Sequence, residues 1–372
     1  MVNTLSRTNP DSPLETPAAP SVFSSYDLDL AGTLAKLRAW PDLKTVGLQF
    51  PDGLRDYAAE IAQRFEGELP GVAVVVNADP SYGACDLALN MQKWVDVLVH
   101  FGHTEMPSIN HLHTMPVIFV PARHRADVSA VTVKAAGELP GRRVGLLTTA
   151  QHAHQLKEAA EALRKAGFEP VVGVGDNRVA GAAQLLGCNF TAGTSVEPLV
   201  DGFVYIGSGD FHPIAIAFGT KKPVVLADPY TNEVRDLGGK MDLLLRQRHA
   251  AIARARDAKS VGILVSLRVG QERMLLAKGL KRLLEQSGRR ATIIALDFFS
   301  WDNLQYFRHL DALVNTGCPR VTTDDYARYP MPMLTPQELE IVLGRRSWED
   351  YAFDEFKGTK PAPKGRARVA DV

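Results

Sequence analysis

The sequence predicts an α/β protein of three pseudo-repeated small domains, each with a short parallel sheet flanked by helices, arranged around a central site. Three observations predict it. A charged or polar lead-in followed by Val-Gly and an apolar run occurs three times; an Asp-led apolar run ending in Gly follows each copy; and segments of helical period lie between the runs.

The Val-Gly element reads KTVGLQF (44–50), RRVGLLT (142–148) and KSVGILVS (259–266). The Asp-led element reads DVLVHFG (96–102), DGFVYIG (201–207) and DALVNTG (311–317), its closing glycines 105 and 110 residues apart. A third, Pro-led run appears as MPVIFVPA (115–122) and KPVVLADP (222–229), with YPMPMLTP (329–336) a poorer copy. Continuous Val/Ile/Leu runs, as opposed to alternating ones, belong to strands covered on both faces, the parallel arrangement fed by right-handed crossovers. The crossover helices are expected over 54–65, 152–166 and 272–286, where apolar residues recur three or four apart. The domains are expected at 26–137, 138–257 and 258–356, with linkers near 137–141 and 253–259. Residues 1–25, with Pro10, Pro13, Pro17 and Pro20 among serines, read as a disordered tail, and 357–372, carrying Lys357, Lys360, Lys364, Arg366 and Arg368, as a basic one.

With 372 residues the chain has room for several cores. Forty-two basic against 42 acidic residues leave no net charge, which argues against a dedicated nucleic-acid binder and its phosphate contacts. No apolar stretch approaches the ~20 residues of a membrane span. Three cysteines cannot build a disulfide framework, and the N-terminus has no apolar signal core, so a reducing cytoplasm is the expected location.

Each repeat supplies one cysteine. Cys85 lies in DPSYGACD after the run 72–76, Cys188 in LLGCNF after 171–174, and Cys318 in NTGCPR directly after 313–315; Gly83, Gly187 and Gly317 stand just before them. Loops beyond the carboxyl ends of parallel strands form the binding crevice of such folds. A single free cysteine is more often an inert small hydrophobe. Three in equivalent loops, 103 and 130 residues apart, are expected to converge where three domains meet. Thiolates select zinc or an iron–sulfur cluster, and three ligands instead of four leave one metal position open for chemistry. The compact CxxxCxxC loop of conventional radical enzymes is absent. The dinucleotide fingerprint also fails: Gly173-Val174-Gly175 has Arg178 where the third glycine belongs, and Gly207-Ser208-Gly209 has His212. The pairs His111/His113 and His152/His154 have no cysteine or acid at zinc spacing and read as solvated surface.

The chain resembles the diphthamide biosynthesis family, the 2-(3-amino-3-carboxypropyl)histidine synthases, from about Lys44 to Gly344. The resemblance rests on QFPDGL (49–54), YGACD (82–86), HFGH (100–103), LLGCNF (185–190), DFHP (210–213), ADPY (227–230), GILVS with GQ (262–271), and CPR with DDY and PMLTP (318–336). It implies that Cys85, Cys188 and Cys318 hold a 4Fe-4S cluster whose open iron binds S-adenosylmethionine. It further implies cleavage of the bond from sulfur to the methionine γ-carbon, with release of methylthioadenosine. The 3-amino-3-carboxypropyl group then goes to a histidine of translation elongation factor 2, the first step of diphthamide synthesis.

For the amino-acid end of S-adenosylmethionine the candidate contacts are Gly207, Ser208, Gly209, Gly270 and Gln271, all just after strands. His103, Asp210, His212 and Asp228 match family motif positions and are candidates for substrate contact or support. Leu267 and Arg268 stand where a Thr-Lys-like pair is expected. HFGHTEMP lacks the cysteine that eukaryotic members tend to carry, which implies the archaeal type, a homodimer served by an electron donor. Two other readings share the architecture: a quinolinate-synthase-like 4Fe-4S dehydratase, and a non-catalytic metal-binding partner subunit.

Overall fold

A computed structural model describes residues 22–360; residues 1–21 and 361–372, most of both expected tails, lie outside the described residues. Three parallel sheets repeat one strand order. The first runs Ala73–Ser81, Thr45–Pro51, Val97–Phe101, Val117–Val120. The second runs Glu169–Val172, Arg143–Thr148, Gly202–Ile206, Val224–Asp228, with Glu233–Asp236 added antiparallel at the edge. The third runs Arg290–Leu296, Ser260–Ser266, Ala312–Asn315, Met333–Leu334. All nine apolar runs become strands, although the poor third copy of the Pro-led run yields only two strand residues.

The repeated motifs have repeated physical causes. Gly47, Gly145 and Gly262 each face the neighbouring central strand, opposite Leu98, Phe203 and Leu313. A Cβ there would stand 3.2 Å from Leu98 Cδ1, 2.3 Å from Phe203 Cδ1 and 2.9 Å from Leu313 Cδ2. The glycine makes room for a side chain of the adjacent strand. The leading aspartates tie the two strands together at their starts. Asp96 accepts from the Lys44 and Thr45 N–H groups, both at 2.8 Å; Asp201 from Arg143 N–H at 3.0 Å; and Asp311 from Lys259 and Ser260 N–H at 2.9 and 2.8 Å. Those backbone donors hold the Asp96 and Asp311 carboxyls below the usual range; for Asp201 the Arg143 guanidinium leads.

The helices Ala58–Glu68, Leu156–Lys165 and Met274–Gln286 cross from first to second strand in each unit. Each buries residues three or four apart: Ile61 and Phe65; Leu156, Ala159, Ala160 and Leu163; Ala277, Leu280 and Leu284.

The divisions between units differ from those expected. Ser129–Ala136, counted with the first span, packs Val131, Ala135 and Ala136 against Val144, Leu163 and Val204 of the second core. The linker expected at 253–259 is confined to the turn at 256–259. One helix, Gly238–Ala255, places Leu244 in the second core and Ala251, Ile252 and Ala255 in the third. Phe353 then returns the chain to the second core. The inner ends of both expected tails are ordered. Val22–Ser25 form a helical turn with Val22 in the first core, while Gly358 and Lys360 donate N–H to Asp176 (2.7 Å) and Asn177 (2.9 Å). Their partners are distant in sequence, so composition could not reveal them. His152, read as surface, is buried beside His124 and Tyr230. Among the described residues no helix is long and apolar enough to cross a membrane.

Candidate active site

Cys85 follows Ala73–Ser81, Cys188 lies between Glu169–Val172 and Gly202–Ile206, and Cys318 precedes the short helix Pro319–Thr323. All three line one cavity of about 490 Å³ at the carboxyl ends of the strands, together with His103, Arg178, His212 and Arg320. The thiols sense one another. Burial pushes Cys85 up to about 12, and Cys188 and Asp86 add to this, while Gln271 and Arg178 pull the other way. Burial also raises Cys188, against the pull of Arg178. Cys318 lies well above the usual thiol value through burial, then through Cys188 and Cys85. Three thiolates in one cavity therefore need positive charge to exist together.

Part of that charge is in place. Arg178, 6% exposed, donates from Nη2 to the Gly270 carbonyl at 3.1 Å, stacks 5.0 Å from the Phe356 ring centroid and borders Cys188. Its Nε has no hydrogen-bond partner, and among the described residues it pairs with no carboxylate. A buried guanidinium without a counter-anion is costly. An anionic thiolate-bound cluster in this cavity answers both needs. Among the described residues no three His, Cys, Asp or Glu side chains are close enough to hold a single metal ion. A cubane does not require that closeness, because its thiolates bind different irons.

The walls around the cysteines are tied across units. Gly270 donates N–H to the Cys85 carbonyl (2.9 Å), and Gln271 Nε2 donates to Cys85 Sγ (3.4 Å). Arg268 pairs with Asp86 (3.0 Å) and Asp297 (2.9 Å), holding the Cys85 loop from behind. The Phe356 N–H donates to the Cys188 carbonyl at 2.7 Å, and Asn189 Nδ2 donates to the Phe356 carbonyl at 2.9 Å. Arg273, fixed by Asp354 at 2.5 Å, stacks 3.8 Å from the same phenyl ring. Burial lowers both His103 and His212 to about 4, so both are neutral at pH 7.

The other candidates stand apart from this lining. None of the five residues expected at the amino-acid end of S-adenosylmethionine lines the cavity: Gly270 and Gln271 contact Cys85, and Gly207, Ser208 and Gly209 are not part of the lining. Asp210 pairs with Arg235 (3.3 Å) and Lys240. Asp228 caps its own turn, accepting from Tyr230 N–H at 2.9 Å, and pairs with Arg235 at 3.6 Å. Sequence reasoning missed Arg178, Arg273 and Phe356. Arg178 occurs in the sequence only as an exception to a glycine pattern; its loop position between a strand and Cys188 was the available signal.

The fold and the site define a protein of three repeated α/β units whose thiols share an interdomain cavity. The chain belongs to the diphthamide synthesis protein family, whose model matches residues 50–352. It is 40% identical over 319 residues to the 2-(3-amino-3-carboxypropyl)histidine synthase of Pyrococcus horikoshii, covering 85% of this chain and 90% of that one. The synthase of Methanocaldococcus jannaschii is 27% identical over 328 residues (83% and 86%), and subunit 1 of the human enzyme 26% over 351 residues (91% and 77%). The crystal structure of Dph2 from Pyrococcus horikoshii with a 4Fe-4S cluster superposes with a TM-score of 0.81 at 38% identity, covering 91% of this chain and 96% of that one.

Proposed function

We propose that this protein transfers the 3-amino-3-carboxypropyl group of S-adenosylmethionine to a histidine of translation elongation factor 2, the first step of diphthamide synthesis. The observation that carries the reading is the meeting of Cys85, Cys188 and Cys318, one from each repeat, in a cavity that also holds Arg178, which has no carboxylate partner among the described residues. When bound by these cysteines, a 4Fe-4S cluster supplies the low-potential electron and an open iron position for S-adenosylmethionine.

The chain's own residues do the rest. Gly270, Gln271 and Arg268 hold the Cys85 loop, the Phe356 strap holds Cys188, and the apolar wall of Leu185, Leu186 and Phe211 limits water. Gly207, Ser208, Gly209, Asp210 and Asp228 have a supporting role at most in this reading. His103 and His212 present neutral imidazoles to the substrates. A homodimer in the cytoplasm, supplied by a separate electron donor, completes the proposal.

The test is anaerobic incubation of the dithionite-reduced protein with S-adenosylmethionine and its elongation factor 2. Methylthioadenosine and a modified histidine are expected. Turnover of iminoaspartate with dihydroxyacetone phosphate, and no methylthioadenosine, would select the quinolinate-synthase-like alternative. Stoichiometric zinc with no iron would select the non-catalytic subunit.

A further inference from the structure

A buried chain of hydrogen bonds behind the cavity fixes the proton on one ring facing it. Gln49 is held at both ends by main chain: its Nε2 donates to the Asp86 carbonyl at 2.7 Å, and its Oε1 accepts from the Ala88 N–H at 3.1 Å. A carbonyl at one end and an N–H at the other leave no freedom to exchange the amide's nitrogen and oxygen. Oε1 also lies 2.8 Å from His100 Nδ1. An amide oxygen only accepts, so Nδ1 carries hydrogen.

His100 is fully buried, its two ring partners are Gln49 and His103, and burial holds it well below the usual imidazole value. The ring is therefore neutral, and Nε2 is a bare acceptor. His103 Nδ1 lies 2.9 Å from that Nε2 and must donate to it. With its Nδ1 proton committed and its ring neutral, because burial outweighs the opposing pull of the Phe101 carbonyl, His103 keeps an unprotonated Nε2. His103 lines the cavity, and Nε2 is the ring nitrogen left for a ligand.

The cavity thus offers a neutral lone-pair acceptor with a fixed tautomer, beside Arg178 and the neutral His212, with Arg320 across the cavity held by Asp324 at 2.8 Å and Asp52, Asp325 and Arg328 completing the charged lining. A neutral acceptor suits an uncharged N–H donor, where a carboxylate would instead favour the protonated imidazolium. We propose that His103 Nε2 accepts the N–H of the target histidine's imidazole and so sets the rotation of that ring, making His103 a catalytic residue of the transfer half-reaction. This rests on the function proposed above.

Two variants separate the hydrogen bond from the space it occupies. His103→Gln keeps an acceptor near the position of Nε2, whereas His103→Met fills similar volume without one. Each is loaded anaerobically, checked for iron content, and given S-adenosylmethionine and elongation factor 2. Modified elongation factor per methylthioadenosine released is measured together with KM and kcat for the protein substrate. His103→Met is expected to lower that ratio roughly tenfold, the value of one buried hydrogen bond, and His103→Gln to recover a large part of it. Equal ratios in His103→Met, His103→Gln and the unsubstituted protein would overturn the inference. Absence of methylthioadenosine from the unsubstituted protein would overturn the functional reading and this inference with it.

Discussion

Gly270 and Cys85, from different repeats and 185 positions apart, touch backbone to backbone: a Cβ at 270 would stand 2.5 Å from the Cys85 Cα. Neither atom set can yield, because main chain forms both sides and the Gly270 N–H already donates to the Cys85 carbonyl. Gly270→Ala is expected to push the Cys85 loop from its place, destabilise the fold by about 1–3 kcal/mol and lower iron and sulfide content after anaerobic reconstitution. Full iron loading in a folded variant would contradict the role given to this contact.

Arg178 places a positive charge beside the thiols with no carboxylate to answer it among the described residues. A nearby cation favours the more negative, reduced state of a cluster. Arg178→Met is expected to move the reduction midpoint to more negative potential in a titration followed by electron paramagnetic resonance, with iron retained. An unmoved midpoint would mean that the charge is balanced elsewhere.

The helix Gly238–Ala255 is locked to the third unit by Arg248, which makes two bonds to Glu338 (2.7 and 2.6 Å) and two more to the Thr322 and Met333 carbonyls. Both side chains are 0% exposed. Glu338→Gln leaves the guanidinium buried and without its counter-charge, and is expected to cost about 3–5 kcal/mol in urea unfolding. Glu338 also accepts from the Thr335 backbone at the helix cap and from Tyr351, so part of the loss is local.

Burial holds His103 and His212 at about 4 in the folded protein, against about 6.5 for free histidine. The unfolded chain therefore takes up protons first as pH falls. The stability tied to these neutral rings is complete above pH 6.5, declines between 6.5 and 4, and is absent below 4. The urea midpoint is expected to drop from pH 7 to pH 5, and less steeply in His103→Gln. A pH-independent difference between the two proteins would show that His103 is not held neutral.

The likeness of the three repeats was open to view in the linear chain because its causes are local. A missing Cβ beside a neighbouring strand and an aspartate capping two strand starts recur as Val-Gly and Asp-led runs at matching intervals. The unit divisions were not, since Ser129–Ala136 and Gly238–Ala255 have ordinary helical pattern and only packing decides which core takes them. The cysteines could be singled out by their loop positions, yet Arg178, Phe356 and the Gln49–His100–His103 chain could not.

Sequence by itself determined the α/β class, the threefold repetition and which three thiols to watch, because strand pattern and family motifs reside in short stretches of chain. Tertiary structure alone decided that those thiols share a cavity, which arginine stands beside them with no carboxylate partner among the described residues, and that Gln49 and His100 stand behind His103. Burial and hydrogen-bond partnership are properties of atoms brought together from distant parts of the chain, and they set both the charge and the proton positions at the site.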